Sequence, residues 1–213
     1  MPPVRNVAHR QGTRLGAALL LFLAGASVSG AQDTGEAAFG VRAIGAAGMH
    51  LGRASVERNA EAYELGARLD VGHFRIDRIR VVADIAFLRT RTYEEFVPTE
   101  DTTYRDVFYD LSGHVTVQWF LTKPSQRVSP YVSTGVGVHA LTSSFRSIVL
   151  DQRYNSNRFG LRAAAGMRVR LGSDRRHAVF VEYAGTLVRE VSRGSVHVGV
   201  EALFGDLARG AGR

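Results

Sequence analysis

The stretch 129–141 reads Ser-Pro-Tyr-Val-Ser-Thr-Gly-Val-Gly-Val-His-Ala-Leu, and it narrows the possible folds more than any other part of the chain. Every second residue belongs to one set: Val132, Thr134, Val136, Val138 and Ala140. The alternate set is Ser133, Gly135, Gly137 and His139. A period of two describes a strand whose two faces meet different surroundings. One face here is β-branched and apolar. The other is small or polar, and rich in glycine, which normally weakens a strand.

The same alternation recurs in 38–51, 63–72, 79–88, 107–119, 159–171, 179–187 and 196–204. With the opening stretch that makes eight segments. An even number lets antiparallel neighbours close into a barrel that has no free edge. The connections 72–78, 122–129 and 172–177 are compact. Those at 52–62, 90–106 and 142–158 are longer and polar, and 188–195 is short. Short turns at one end and longer loops at the other suit an eight-stranded antiparallel up-and-down transmembrane β-barrel. No run approaches the length of a membrane-spanning helix.

A soluble barrel alternates too, but with its apolar face inward. The polar face decides between the two. It carries Arg42, Glu64, Arg68, Asp84, Asp110, His114, Arg162, Arg168, Glu182 and Glu201, with glycines between them. A water-facing surface has no need of those glycines. A narrow lumen does, because long charged side chains must lie beside something small. These ten residues are therefore expected to form a buried polar network that fills the lumen, since charges in a confined space must be paired. Aromatics on the apolar face cluster near the segment ends. Phe39, Trp119 and Phe204 fall at the inner end, and Tyr63, Phe87, Tyr109 and Phe159 at the outer end. Two such girdles anchor a barrel at both membrane interfaces.

The N-terminus has a different pattern. Arg5, Arg10 and Arg14 precede an apolar core at 15–26, and the small residues Ser29, Gly30 and Ala31 precede Gln32. This is the layout of a secretory signal, and its core is too short to span a bilayer. Residues 1–31 are read as a cleaved signal peptide, 32–204 as the barrel and 205–213 as a short tail. The chain has 27 basic and 20 acidic residues and a net charge of +7. Three of the arginines lie in the signal, and the others are spread along the chain with no long basic run, so nucleic acid is not an expected partner. There is no cysteine, which removes disulfides and thiolate metal sites.

Pro130-Tyr131-Val132 with Gly135-Val136-Gly137, the Phe159-Gly160-Leu161 strand start and the alternation ending at Phe204 resemble the small outer-membrane β-barrel family of outer-membrane protein A-like domains. The resemblance covers roughly 38–204. It implies a Gram-negative-type outer membrane and insertion by the barrel-assembly machinery, and the N-terminal signal implies export through the general secretory pathway. That machinery reads a terminal strand ending in an aromatic residue, whereas Phe204 is followed here by Gly205 to Arg213.

Eight strands enclose a lumen just wide enough for side chains, so a wide diffusion pore of the porin type is not expected. His50, His114, His139 and His197 share the inward parity, but parity does not set height, so no metal site is expected. Some barrels of this resemblance modify lipid A with a His-Ser-acid set on the outer face. Here Ser195, His197 and Glu201 face inward on one strand. No catalytic residue and no cofactor are expected. The reading is a monomeric, non-enzymatic envelope or surface-interaction protein in outer-membrane lipid. Three alternatives stay open: a channel for small hydrophobic molecules, a secreted soluble lipocalin-like barrel and a lipid A-modifying hydrolase. The protein is expected in the outer-membrane fraction, with unboiled and boiled samples migrating differently on a gel. Recovery from the periplasm without detergent contradicts a membrane barrel.

Overall fold

The computed structural model describes residues 39–40, 44–56, 60–74, 76–98, 102–147, 151–172, 176–189, 191–204 and 207. Ten strands account for nearly all of them: β1 (Phe39–Gly40), β2 (Ala46–Val56), β3 (Ala60–Phe74), β4 (Ile79–Thr90), β5 (Tyr93–Val97), β6 (Thr102–Phe120), β7 (Val128–Arg146), β8 (Asp151–Leu171), β9 (His177–Val188) and β10 (Arg193–Leu203). Among the described residues, no helix is long and apolar enough to cross a membrane. Residues 1–38, with the expected signal, and Arg42 of the expected lumen network lie outside the described residues, as does the side chain of Phe39.

Eight strands form a closed wall. Each pairs antiparallel with its neighbours in the order β2-β3-β4-β6-β7-β8-β9-β10, and β10 pairs with β2 from Arg193↔Val56 to Leu203↔Ala46. The remaining two are attachments, with β1 on β3 and β5 on β6. Following hydrogen-bonded partners round the wall leads from Ala46 through Asp70, Val82, Thr116, Gly135, Arg162, Thr186 and Arg193 to Val56. One circuit therefore ends ten residues along the strand on which it began (56 − 46). A stagger of this kind is the geometric condition for strands tilted by roughly 35–45° to close.

The strands follow the sequence alternation closely. Met49, Leu51, Leu65, Phe87, Leu111, Val136, Leu161, Leu187, Val198 and Val200 are exposed, and the residues between them are buried. This is the inverse of a soluble barrel. The polar side is the buried one. Trp119 and Phe204 lie exposed at the inner end. Tyr63, Phe87 and Phe159 lie exposed toward the outer end, where half-buried Tyr109 stacks on Phe87 at 6.1 Å.

The fold corrects two expected boundaries. The first segment is not one strand over 38–51. Ile44 and Gly45 lie outside the strands, and the partner on β3 is His73 for Gly40 but Asp70 for Ala46. The outer connections 90–106 and 142–158 are not loops either. They are largely strand, as β5, β6, β7 and β8 run on in register to Val97↔Thr102 and Arg146↔Asp151. Backbone pairing needs no apolar face, so a hairpin standing clear of the membrane keeps its ladder after its alternation has dissolved into polar residues. The wall is consequently tall on the β5–β8 side and short at β2–β3 and β9–β10.

At the inner end the turns are tight. Gly72 follows a bulge in β3, has φ 140°, and donates its N–H to Asp70 Oδ1 at 3.1 Å. That conformation is costly for other residues. The turn before β7 is held by Ser129 Oγ, which donates to the carbonyls of Lys123 and Gln126. Val136 lies well inside both girdles on the exposed face. Val136→Arg is expected to cost about 2–4 kcal/mol, read as a lower urea midpoint for the folded barrel in lipid vesicles.

Candidate functional site: the polar lumen

The inward residues are linked by ion pairs, hydrogen bonds and ring contacts. Glu182 accepts from Arg162 Nη2 at 2.8 Å and from the Tyr131 hydroxyl at 2.9 Å, and stands 3.6 Å from Arg68. Glu201 stands 2.7 Å from Arg168 and 3.4 Å from Arg68. Arg193 pairs with Asp110 and stands 3.5 Å from Glu64. Asp110 also meets His139 Nδ1 at 2.8 Å, and Asp84 meets His50 Nε2 at 3.0 Å. Glu64 lies 3.2 Å from His197 Nε2. Together these contacts join five carboxylates to four guanidiniums and three histidines. Nearer the inner end, Arg80 pairs with Asp70 and Arg170 donates to the Pro124 carbonyl at 2.7 Å.

All of these side chains are buried. An isolated buried charge costs several kcal/mol, so the network has to form as a whole. Aromatic faces supply further contacts, with Arg68 over Phe180 at 4.3 Å and Arg168 over Phe120 at 4.8 Å. Apolar clusters sit at both ends. Ala54, Val56, Ala62 and Leu88, with Phe108 and Val191 against them, pack at the outer end. Ala46, Ala178, Leu203 and Leu207 pack at the inner end.

The glycines make this filling possible. A Cβ at Gly66 would lie 2.2 Å from His50 Nε2, one at Gly52 would lie 2.3 Å from His197 Cδ2, and one at Gly137 would lie 2.3 Å from His114 Cδ2. Each of these histidines is the direct cross-strand partner of its glycine. A large inward ring therefore lies flat over the missing side chain of the next strand.

Of the ten expected lumen residues, Glu64, Arg68, Asp84, Asp110, His114, Arg162, Arg168, Glu182 and Glu201 are buried inward, and all but His114 join the ion-paired network. His114 instead packs edge-on against His139 at 4.9 Å, and neither ring nitrogen has a hydrogen-bond partner among the described residues. Sequence reasoning missed Arg193, which falls in a segment read as a connection, although it continues the parity of Ser195, His197 and Glu201. It also missed Tyr131 and Phe180, whose parity places them inward but whose side chains gave no sign of charge. The histidines come together in two pairs, His50–His197 and His114–His139, each with ring centroids 4.9 Å apart. The sequence gives no register, so these pairings were not legible in it.

A closed antiparallel wall with an apolar exterior and a charged, filled interior defines a transmembrane β-barrel of the outer-membrane type. The chain belongs to the outer membrane protein beta-barrel domain family, whose model matches residues 18–204. No curated protein matches it in sequence. Among solved structures, a major outer membrane protein from Thermus thermophilus is similar over 76% of this chain and 100% of its own, with 8% identity and a TM-score of 0.50. The N-terminal β-barrel domain of Pseudomonas aeruginosa OprF is similar over 75% of this chain and 98% of its own, at 15% identity and a TM-score of 0.49. Ail, the attachment invasion locus protein of Yersinia pestis, is similar over 75% and 99%, at 18% identity and a TM-score of 0.48. At these identities the likeness is one of fold. By its family the protein is an outer-membrane barrel.

Glu201 is the carboxylate that pairs with Arg168, and it shares Arg68 with Glu182. Glu201→Gln leaves buried guanidinium charge uncompensated and is expected to cost about 3–5 kcal/mol. The measurement is the urea concentration at which the heat-modifiable folded band disappears.

Proposed function

We propose that this barrel is a non-enzymatic, non-conducting element of the outer membrane, with a structural role in the envelope and an outward face for surface interaction. The observation that carries this reading is the filled lumen. Its ion-paired middle lies between two apolar clusters, which in this reading deny water and apolar solutes a continuous path. In this reading the chain is exported through the general secretory pathway, inserted by the barrel-assembly machinery and surrounded by outer-membrane lipid as a monomer. Nucleic acid is not a partner.

The inward placement of Ser195, His197 and Glu201 supports a non-enzymatic role. The Ser195 hydroxyl donates to the Ala184 carbonyl at 3.5 Å, His197 faces Glu64 and Glu182, and Glu201 is taken up by the two arginines. No nucleophile–base contact forms among the three, and a lipid chain has no access to them. The surface-interaction part rests on the raised β5–β8 sheet. It is stiffened by Tyr104 stacked on Phe145 at 5.2 Å. Its cleft, of about 490 Å³, is lined by Arg105, Tyr109, Thr142, Arg146 and Arg153 among others. Rigid strands position such a face better than mobile loops do.

The refolded protein is expected to give no conductance steps in planar bilayers and to release no fatty acid from lipid A. Reproducible unitary conductance overturns the closed-lumen reading, and fatty acid release overturns the non-enzymatic one.

A further inference from the structure

We infer that His50, Glu64 and His197 form a binding site for a divalent transition-metal ion of the zinc class, placed where the barrel closes on itself. His197 lies on β10, His50 on β2 and Glu64 on β3. These are three adjacent strands, and they straddle the seam at which the last strand meets the first. One ligand atom from each residue lies within 4.8 Å of the other two. All three side chains are at most 2% exposed.

Three further observations point to a ligand. First, the free donor atoms match the need. His50 Nδ1, His197 Nε2 and both Glu64 oxygens are buried without a hydrogen-bond partner among the described residues. His197 Nε2 and Glu64 Oε1 approach to 3.2 Å, but not in hydrogen-bond geometry. Buried donors and acceptors left unsatisfied are expensive, and one cation held by the two ring nitrogens and one Glu64 oxygen satisfies three of the four, with Arg193 3.5 Å from Glu64 Oε2. Second, the opposite nitrogen of the His50 imidazole already faces a carboxylate. His50 Nε2 meets Asp84 at 3.0 Å, whereas His197 Nδ1 has Arg162 Nη2 at 3.3 Å and Glu182 only at 3.7 Å. A ligating histidine typically shows this carboxylate–histidine arrangement, which sets its tautomer and ring orientation. Third, both rings are seated over glycines, Gly66 and Gly52, so their positions are built into the wall.

Two imidazoles and a carboxylate suit zinc, with a fourth position for water. Bonds of about 2.0–2.1 Å require the ligand atoms to draw together by roughly 1–1.5 Å, within the range of small χ rotations. Arg193 at 3.5 Å from Glu64 and Arg162 at 3.3 Å from His197 Nδ1 are the nearest cations. Both also contact acids elsewhere in the network, Asp110 and Glu182. The bound ion would cross-link β10, β2 and β3 and so staple the closure seam.

The test uses untagged mature protein refolded in detergent with and without Zn2+, then gel-filtered and analysed for metal. One zinc per chain is expected, together with a urea midpoint that rises with zinc concentration. His50→Gln with His197→Gln is expected to abolish both effects. His114→Gln with His139→Gln, at the other buried histidine pair, is expected to retain them. Asp84→Asn should weaken zinc binding by roughly 10–100-fold. Absence of stoichiometric zinc in the wild type, or equal zinc in the His50/His197 variant, overturns the site. If that variant fails to fold, Co2+ bound to the wild type answers the question. Intense visible bands of a low-coordinate ion support the site, and the weak bands of six-coordinate Co2+ overturn it.

Discussion

Everything in this molecule depends on the hydrogen-bond ladder between β10 and β2. In hydrocarbon there is no water to satisfy a free strand edge, so an open sheet cannot span a membrane and a closed one can. Closure here requires a stagger of ten residues in one circuit, the displacement from Ala46 to Val56. That stagger sets the strand tilt and the bore of the lumen. It also decides which inward residues share a level.

The narrow bore then dictates composition. An inward face of long side chains on every strand would not fit, and one of glycines alone would leave a void. The chain solves this by opposing large to small across neighbouring strands, as at His50 and Gly66, His197 and Gly52, and His114 and Gly137. The charged residues meet a second demand, because a buried arginine needs a carboxylate and a buried carboxylate needs a donor. Arg68, Arg168 and Glu201 meet it together, as do Arg193, Asp110 and His139. Packing and charge pairing together fill the lumen with side chains.

The wall was the legible part, and its outer rim was not. Alternation at Ser133–His139 or at Val196–Glu201 announced inside and outside residue by residue, and exposure follows it. Above the membrane the pattern failed. Residues 90–106 and 142–158 are largely polar and were read as loops, yet much of their backbone stays paired in β5, β6, β7 and β8. Water on both sides removes the compositional signal but leaves the hydrogen bonds intact. Arg193 was lost for the same reason, since it begins a strand at the rim, where no apolar neighbour marks the start.

By itself, the sequence determined the number of wall strands and which side chains face inward. Both follow from a period of two, a local property that needs no knowledge of neighbours. It also determined that the interior is charged and the exterior apolar. Only the tertiary structure decided which inward residues meet. His50 is adjacent in space to His197, 147 positions away in the chain (197 − 50), because β10 pairs with β2 in one register. Register is a relation between strands, set by closure and by the fit of rings over glycines, and the alternation of a single strand carries no record of it.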